Sequence, residues 1–397
     1  MRILISGGGT GGHIYPALAI AHALRDHYGA ELLFLGDENG LEREIVPREG
    51  IRFVGVTAGK LRRYFSLQTI SDLAHVPVGI RQAREVVKEY QPHAAFTSGG
   101  YASVPAGLAA RGIGAPLVMH QQDVLPNLAN RILAPRATRI SVSFPQSLRY
   151  FQRYRKKTAL TGNPVREEIL RVANHQPEPF KASFNLDPTQ PLLLVTGGSQ
   201  GARHLNRVVA SSLSRLLPYC QILHISGEHN YEETRQLAEP HFAERPELRG
   251  RYVLRGYIST RMAEALAASD ILVCRAGAAT LSELAILGRP SILIPLPPGI
   301  TGSPQEINAA MFRQAGAAEI IPDRELTPNA LQAAVLPILE SGARRTLMAN
   351  AARTLAQPQA TYTLTESVVE LAKKRIEKLS IREPRQSPPA ERRQPDR

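Results

Sequence analysis

Residues 1–13 read MRILISGGGTGGH, and residues 191–203 read PLLLVTGGSQGAR. Both stretches carry one pattern: a short apolar run, a cluster of glycines, then the start of a helical stretch. In the first copy Ile3–Ser6 is predicted as a strand, and Ala17–Leu24 lies in an amphipathic helix. Glycine adopts positive φ at low cost and lets a backbone come close to a phosphate or a sugar. A helix that begins there presents free N–H groups to whatever sits in front of it. Strand, glycine loop and helix make the opening unit of a doubly wound α/β sheet. Its return near residue 191 predicts a second such sheet.

Working outward, Glu31–Leu35, Arg52–Val56, Ala94–Thr97 and Leu117–His120 read as further strands of the first half. A helix covers Ile70–Tyr90, with a break expected at Pro77. In the second half, Gln221–Ile225, Ile271–Val273 and Ser291–Ile294 read as strands. Strands alternating with helices imply βαβ units and parallel sheets. Gly162–Gln190, with four prolines, reads as the connection. The expected fold is α/β, two Rossmann-like domains facing each other across a cleft. The first is expected to span 1–163 and the second 164–355.

The chain has 397 residues, 43% of them apolar, which excludes wholesale disorder. Cys220 and Cys274 are too few for a disulfide scaffold or a four-thiolate zinc site, and they fit a reducing compartment. Only Ile3 to Ile5 precede the first glycines as an apolar stretch, unlike a secretory signal, and no run reaches the ~20 apolar residues of a membrane span. A soluble, cytoplasmic protein is expected.

The net charge of +13 is uneven. Residues 1–163 carry 20 basic and 11 acidic side chains, 164–372 carry 19 and 20, and 373–397 carry 9 and 4. A basic surface draws anions by its long-range field, so nucleic acid and an anionic membrane are both candidate partners. The bland alternative is a solvated surface. The chain has no nucleic-acid-binding module and no aromatic interleaving, so no nucleic-acid partner is expected. Residues 379–397, rich in Pro and charge, are expected to be disordered.

His13 closes the first glycine loop at a helix start, where an imidazole is an available base. Gly7, Gly9 and Gly12 also satisfy the dinucleotide spacing, and Asp37 ends the second strand, so a nicotinamide oxidoreductase survives on this motif. Ser199 in the second loop offers a hydroxyl, and Arg203 reads either as a phosphate ligand or as a surface cation. In RAGAATLSE, residues 275–283, Thr280 and Ser282 supply hydroxyls and Glu283 could accept from a ribose diol. Thr280 and Glu283 also have the spacing of a capping box, which would make Glu283 structural. Arg166 sits at the hinge, where a cation meets a diphosphate, and Gln305 and Asn308 offer amides. No carboxylate pair reads as a metal site.

Seven motifs in order, GGGTGGH at 7–13, SGGY at 98–101, HQQD at 120–123, TGNPVR at 161–166, TGGSQGAR at 196–203, RAGAATLSE at 275–283 and PQEINA at 304–309, resemble the MurG family of peptidoglycan glycosyltransferases. The resemblance implies a GT-B fold, two Rossmann-like domains with a cleft between them. It implies that the second domain holds UDP-N-acetylglucosamine and the first a lipid-linked acceptor, lipid I, with no cofactor and no metal. Ser199 and Arg166 would then lie near the donor diphosphate, and the Ile258 backbone by the uracil. Ala278, Ala279, Thr280, Leu281, Ser282 and Glu283 would frame the nucleotide, with Glu283 on the ribose. Gln305 would reach the sugar hydroxyls, and Thr10, Gly11 and Gly12 would close the cleft from the other side. The last helix, within 356–378, would return to the first domain. The implied reaction is inverting transfer of N-acetylglucosamine to the muramyl 4-hydroxyl of lipid I, giving lipid II, at the cytoplasmic face of an anionic inner membrane. A sugar-nucleotide epimerase of the same fold is the alternative. His13 is the first candidate base and Asp123 the second. Gln121 and Asp123 depart from the Glu and Asn usual in the family, and Pro304 precedes Gln305 where His or Gln is common. Leu73, Val76, Val78 and Ile80, interleaved with Arg81, Arg84 and Lys88, replace a membrane-facing helix that often carries aromatics.

Overall fold

The structure is a computed structural model that describes residues 1–58, 67–198, 201–258, 261–297 and 305–381, with only the backbone at 67–76. The described residues form two wholly parallel sheets. The first contains β1 (Arg2–Ser6), β2 (Glu31–Asp37), β3 (Arg52–Val56), β4 (Ala94–Thr97), β5 (Leu117–Gln121), β6 (Arg139–Val142) and β7 (Thr158–Leu160), in the order β3-β2-β1-β4-β5-β6-β7. The second contains β8 (Leu192–Thr196), β9 (Gln221–Ile225), β10 (Tyr252–Arg255), β11 (Ile271–Cys274), β12 (Ser291–Leu293) and β13 (Ala318–Ile320), in the order β10-β9-β8-β11-β12-β13.

The two sheets are wound alike. Each reverses direction beside its first strand, between β1 and β4 and between β8 and β11. At such a switch point the connections leave to opposite faces and open a crevice at the carboxyl ends of the strands. Both glycine loops leave from those ends. β1 and β8 read as near-continuous apolar runs because helices cover both faces of a parallel sheet. Ile3, Leu4, Ile5, Leu193, Leu194 and Val195 are accordingly buried.

The strands absent from the sequence reading, β6, β7, β10 and β13, have three or four residues each. β7, β10 and β13 lie at sheet edges, where one face or end stays wet and the apolar signal is weak. The helix Leu67–Tyr90 is not interrupted at Pro77. A proline removes one backbone bond, and burial of Ala83, Val87 and Tyr90 keeps the following turns in place. Leu73 and Val76 have side chains outside the described residues; Val78 is exposed and Ile80 half-buried, with Arg81, Arg84 and Lys88 exposed beside them.

After the second sheet the chain turns back. The helix Ala360–Ser380 packs on the helix Gly11–Tyr28 and on β4, placing Leu364, Val368, Val369 and Ala372 in the core of the first sheet. Arg139 Nη2 donates to Glu370 Oε2 at 2.6 Å and Arg375 Nη2 to the Ile113 carbonyl at 2.9 Å, pinning the helix along its length. The helix runs through Ser380, so residues 379 and 380, expected to be disordered, are helical. Residues 382–397 of the expected tail lie outside the described residues.

Candidate active site

A cavity of about 2040 Å³ lies between the two sheets, walled by both halves of the chain. From the first half it meets Thr10, Gly11, Gly12, His13 and Asp123, and from the connection Arg166. From the second half it meets Ile258, Ala278, Ala279, Thr280, Glu283 and Gln305. Leu281 and Ser282, expected in the same frame, are placed otherwise. The helix Ala278–Leu287 turns Leu281 into the core with no exposure, and Ser282 Oγ donates to the Ala278 carbonyl at 2.8 Å. A helical period of 3.6 allows only part of a continuous stretch to face one wall. Ser199 lies outside the described residues, as does Pro304.

The helix Gly11–Tyr28 starts at the cavity without a cap. Thr10 is extended and makes no side-chain cap bond, and the first turn holds no acid. The free N–H groups of that turn, with the positive end of the helix dipole, are therefore offered to an anion. His13 belongs to the same turn. Its Nδ1 lies 3.0 Å from the Ser98 carbonyl oxygen, which can only accept, so Nδ1 carries the proton and Nε2 is left with the basic lone pair. The SGGY segment wraps the ring: Gly99 has φ +98, and a Cβ there would lie 3.1 Å from the imidazole. Ser98 Oγ donates to the His13 carbonyl at 2.7 Å, and buried Gln122 Nε2 to the Ser98 carbonyl at 2.9 Å.

On the facing wall, Gly201 has φ +73, and a Cβ there would meet the Ser226 carbonyl oxygen at 2.1 Å, so only glycine fits. Arg203 pairs with Glu233 on the surface at 2.7 Å, which settles its two readings for the surface cation. The helix Ala278–Leu287 has Gly277 as its N-cap and no side-chain cap bond. Thr280 is inside the helix, so Thr280 and Glu283 do not form a capping box. Glu283 instead receives Arg166, whose Nε and Nη2 both donate to Oε1, at 3.0 and 2.8 Å. Burial pushes the Glu283 carboxyl up, and Arg166 beside it opposes that shift. Because both bonds fall on one oxygen, Oε2 remains for a hydroxyl pair without breaking the ion pair.

Gln305 Oε1 accepts from the amides of Ala276 and Leu296, each at 3.1 Å, so its NH₂ end is the one available to a ligand. Asn308, fully buried, joins the halves. Its Oδ1 accepts the Val124 N–H at 3.0 Å, and its Nδ2 donates to Asp123 Oδ1 at 2.8 Å and to the Ala276 carbonyl at 3.2 Å. A second bridge runs between the hydroxyls of Tyr15 and Tyr257, 3.2 Å apart, with the Arg166 guanidinium 5.8 Å from the Tyr15 ring centre. Neither bridge is legible in the sequence, since their partners are 185 and 242 residues apart. Gln121, the other departure from the family pattern, is buried and donates to the Asp123 and Leu125 carbonyls.

Asp37 does not face the cavity. It is 3% exposed, its Oδ2 accepts the Tyr101 hydroxyl at 3.2 Å, and its Oδ1 accepts the Asn39 N–H at 3.2 Å. A ribose diol has no access to it, and the nicotinamide reading falls on that geometry. Among the described residues, no group of three or more His, Cys, Asp or Glu converges, and no helix is long and apolar enough to cross a membrane.

Comparison with known proteins agrees with this geometry. Residues 3–142 match the model of the glycosyltransferase family 28 N-terminal domain, and residues 192–366 that of its C-terminal domain. The chain is 37% identical over 380 residues to the UDP-N-acetylglucosamine--N-acetylmuramyl-(pentapeptide) pyrophosphoryl-undecaprenol N-acetylglucosamine transferase of Halothermothrix orenii, across 94% of this chain and 100% of that one. It is 36% identical over 369 residues to the enzyme of the same name from Caldanaerobacter subterraneus subsp. tengcongensis, across 93% and 99%. The crystal structure of Acinetobacter baumannii MurG superposes with a TM-score of 0.70 at 26% identity, over 93% of this chain and 99% of that chain. Two doubly wound domains, a shared cleft and relatives spanning nearly the whole length lead to one conclusion: the chain is a GT-B glycosyltransferase and belongs to the MurG family, within glycosyltransferase family 28.

Proposed function

We propose that this protein moves N-acetylglucosamine from UDP-N-acetylglucosamine to the muramyl 4-hydroxyl of undecaprenyl-diphosphate-linked lipid I, with inversion, giving lipid II for peptidoglycan synthesis. The observation that carries the reading is the pairing of walls in one cavity. His13 exposes a basic Nε2 on one side, and Glu283 keeps a free carboxylate oxygen on the other.

The acceptor hydroxyl is a weak nucleophile and needs a base, whose help is worth ~10²–10⁴-fold. His13 Nε2 takes the proton as the oxygen attacks the anomeric carbon. The bond to UDP breaks on the opposite face, and the electron pair leaves with the diphosphate. Preorganised N–H groups stabilise the charge that develops there. The glycine loop after β8 supplies them on the donor side, and the Ser199 contact implied by the family resemblance belongs to the same proposal. Glu283 Oε2 takes the ribose hydroxyls, the Ile258 backbone the uracil, and the Gln305 amide a sugar hydroxyl. Arg166 holds Glu283 and lines the same cavity, where its guanidinium is the cation for the diphosphate.

The excess of basic side chains in residues 1–163 supports a peripheral position on the cytoplasmic face of an anionic membrane, where the acceptor diphosphate is embedded. The epimerase alternative is not favoured, because the relatives that are 36–37% identical across the chain carry transferase names. The test is transfer of labelled N-acetylglucosamine to a lipid-linked muramyl acceptor, with and without a chelator. Labelled lipid product is expected in both. Free sugar released without any acceptor would favour the epimerase.

A further inference from the structure

Glu42 opens the short helix Glu42–Arg48 immediately behind the first glycine loop, and it has no solvent exposure. Its Oε2 accepts the Gly9 N–H at 3.2 Å and its Oε1 the Asp37 N–H at 3.0 Å. Among the described residues no cation pairs with it. A buried carboxylate is costly unless its oxygens are hydrogen-bonded, and here backbone amides alone do that. Three glycines are shaped to its outline. A Cβ would lie 1.9 Å from Oε1 at Gly8, 2.6 Å from Cγ at Gly36 and 2.5 Å from Cδ at Gly40.

Next to it, Asp37 accepts the Tyr101 hydroxyl, and a Cβ at Gly9 would meet the Tyr101 ring at 2.7 Å. Gly8, Gly9, Thr10 and Tyr101 line the cavity, whereas Glu42 and Asp37 stand behind them. The outward layer is thus held by an inward layer that touches no substrate.

We infer that Glu42 is a positioning residue for the transfer: its grip on the Gly9 amide sets the Gly8–Thr10 wall, and with it the N–H groups of Gly11 and Gly12 that meet the acceptor. The inference rests on the reading that the first domain receives the acceptor. It also explains the chemistry at position 42. A carboxylate offers two acceptors to two N–H donors. A carboxamide offers one, and turns its NH₂ against the other amide.

The test uses the full chain with Glu42→Gln and Glu42→Asp, the second keeping the charge but withdrawing it by one methylene. Backbone hydrogen exchange over residues 7–13 is expected to speed up by about tenfold or more in Glu42→Gln, with no change at the glycine loop after β8. In transfer assays the kcat/KM for the lipid acceptor should fall between about tenfold and a hundredfold, as a small misplacement of a cleft wall can cost, while the KM for UDP-N-acetylglucosamine holds within about twofold. Glu42→Asp should fall between wild type and Glu42→Gln, and it carries the test if Glu42→Gln does not fold. Unchanged loop exchange would overturn the inference, as would equal losses for donor and acceptor that track the melting temperature. If exchange rises but even the wild type transfers nothing to the acceptor, the loop-holding role stands and the transfer reading falls.

Discussion

Asn308 of the second domain donates its amide to the Asp123 carboxylate of the first across 2.8 Å, and the same side chain accepts the Val124 N–H and reaches the Ala276 carbonyl. One buried amide therefore ties the loop after β5 to the loop after β11. This commits one Asp123 oxygen to holding the cleft. Asp123→Asn keeps an oxygen that can accept from Asn308, so turnover should stay within about tenfold of wild type, less than the loss typical of a missing base. Asn308→Ala removes the tie and leaves the Val124 amide buried without a partner, at about 1–3 kcal/mol. Its melting temperature and turnover should both fall. A thousandfold loss in Asp123→Asn alone would instead make Asp123 the base.

His13→Ala should lower turnover by at least about tenfold, while UDP affinity measured by titration stays at the wild-type value. The separation follows from geometry, because His13 and the SGGY segment that orients it lie on the wall opposite Glu283. Unchanged turnover would remove His13 from the mechanism.

Glu283→Gln and Arg166→Ala separate two roles of one ion pair. In Glu283→Gln the remaining oxygen still accepts from Arg166, but the free position becomes a donor. UDP should then bind at least about tenfold more weakly with little change in melting temperature. In Arg166→Ala the carboxyl loses its cation while 13% exposed, so stability should fall by about 1–3 kcal/mol, less than for a fully buried pair because the Arg166 side chain is itself 26% exposed. Wild-type UDP affinity in Glu283→Gln would show that the ribose lies elsewhere.

What the sequence disclosed follows from distance along the chain. Ile3 to Ile5 and Leu192 to Val195 announce central strands because both sheet faces are covered, so each strand is apolar throughout. The glycine loops announce cleft walls because close approach and positive φ exclude most other residues. Edge strands such as β7 and β13 are three residues long and carry no comparable signal. In RAGAATLSE the helix period was the missing step: Leu281 turns inward while Thr280 and Glu283 face the cavity. Glu42 reads as an ordinary acid in the first turn of a surface helix until Gly8, Gly36 and Gly40 are seen folded around it.

The basic first half predicts how the protein meets a lipid surface. Binding to vesicles of acidic lipid should weaken steeply as salt rises from about 50 to 500 mM, because the screening length shortens several-fold over that range. Sedimentation with neutral vesicles should give little binding. Binding that is indifferent to salt, or no binding to acidic vesicles, would refute the electrostatic account.

Two histidines that the fold keeps neutral contribute to the loss of stability in acid. His120 is fully buried, with Ser141 Oγ 2.8 Å from Nδ1 and Asn163 Oδ1 3.0 Å from Nε2, and desolvation pulls its pKa down to about 4. His224, equally buried between Tyr252 and Asn206, is drawn down to about 3. The unfolded chain binds these protons from an ordinary value of about 6.5, so between about 6.5 and 4 it holds protons that the folded chain refuses. Stability is therefore complete above about 6.5 and falls as the pH drops through that window, by up to about 3 kcal/mol from His120 alone. The melting temperature should decline over that range, and the two imidazole signals should stay at their neutral shifts in a proton NMR titration down to pH about 5. Titration of either ring near its ordinary value would show that its surroundings are wetter than the packing of β5 and β9 requires.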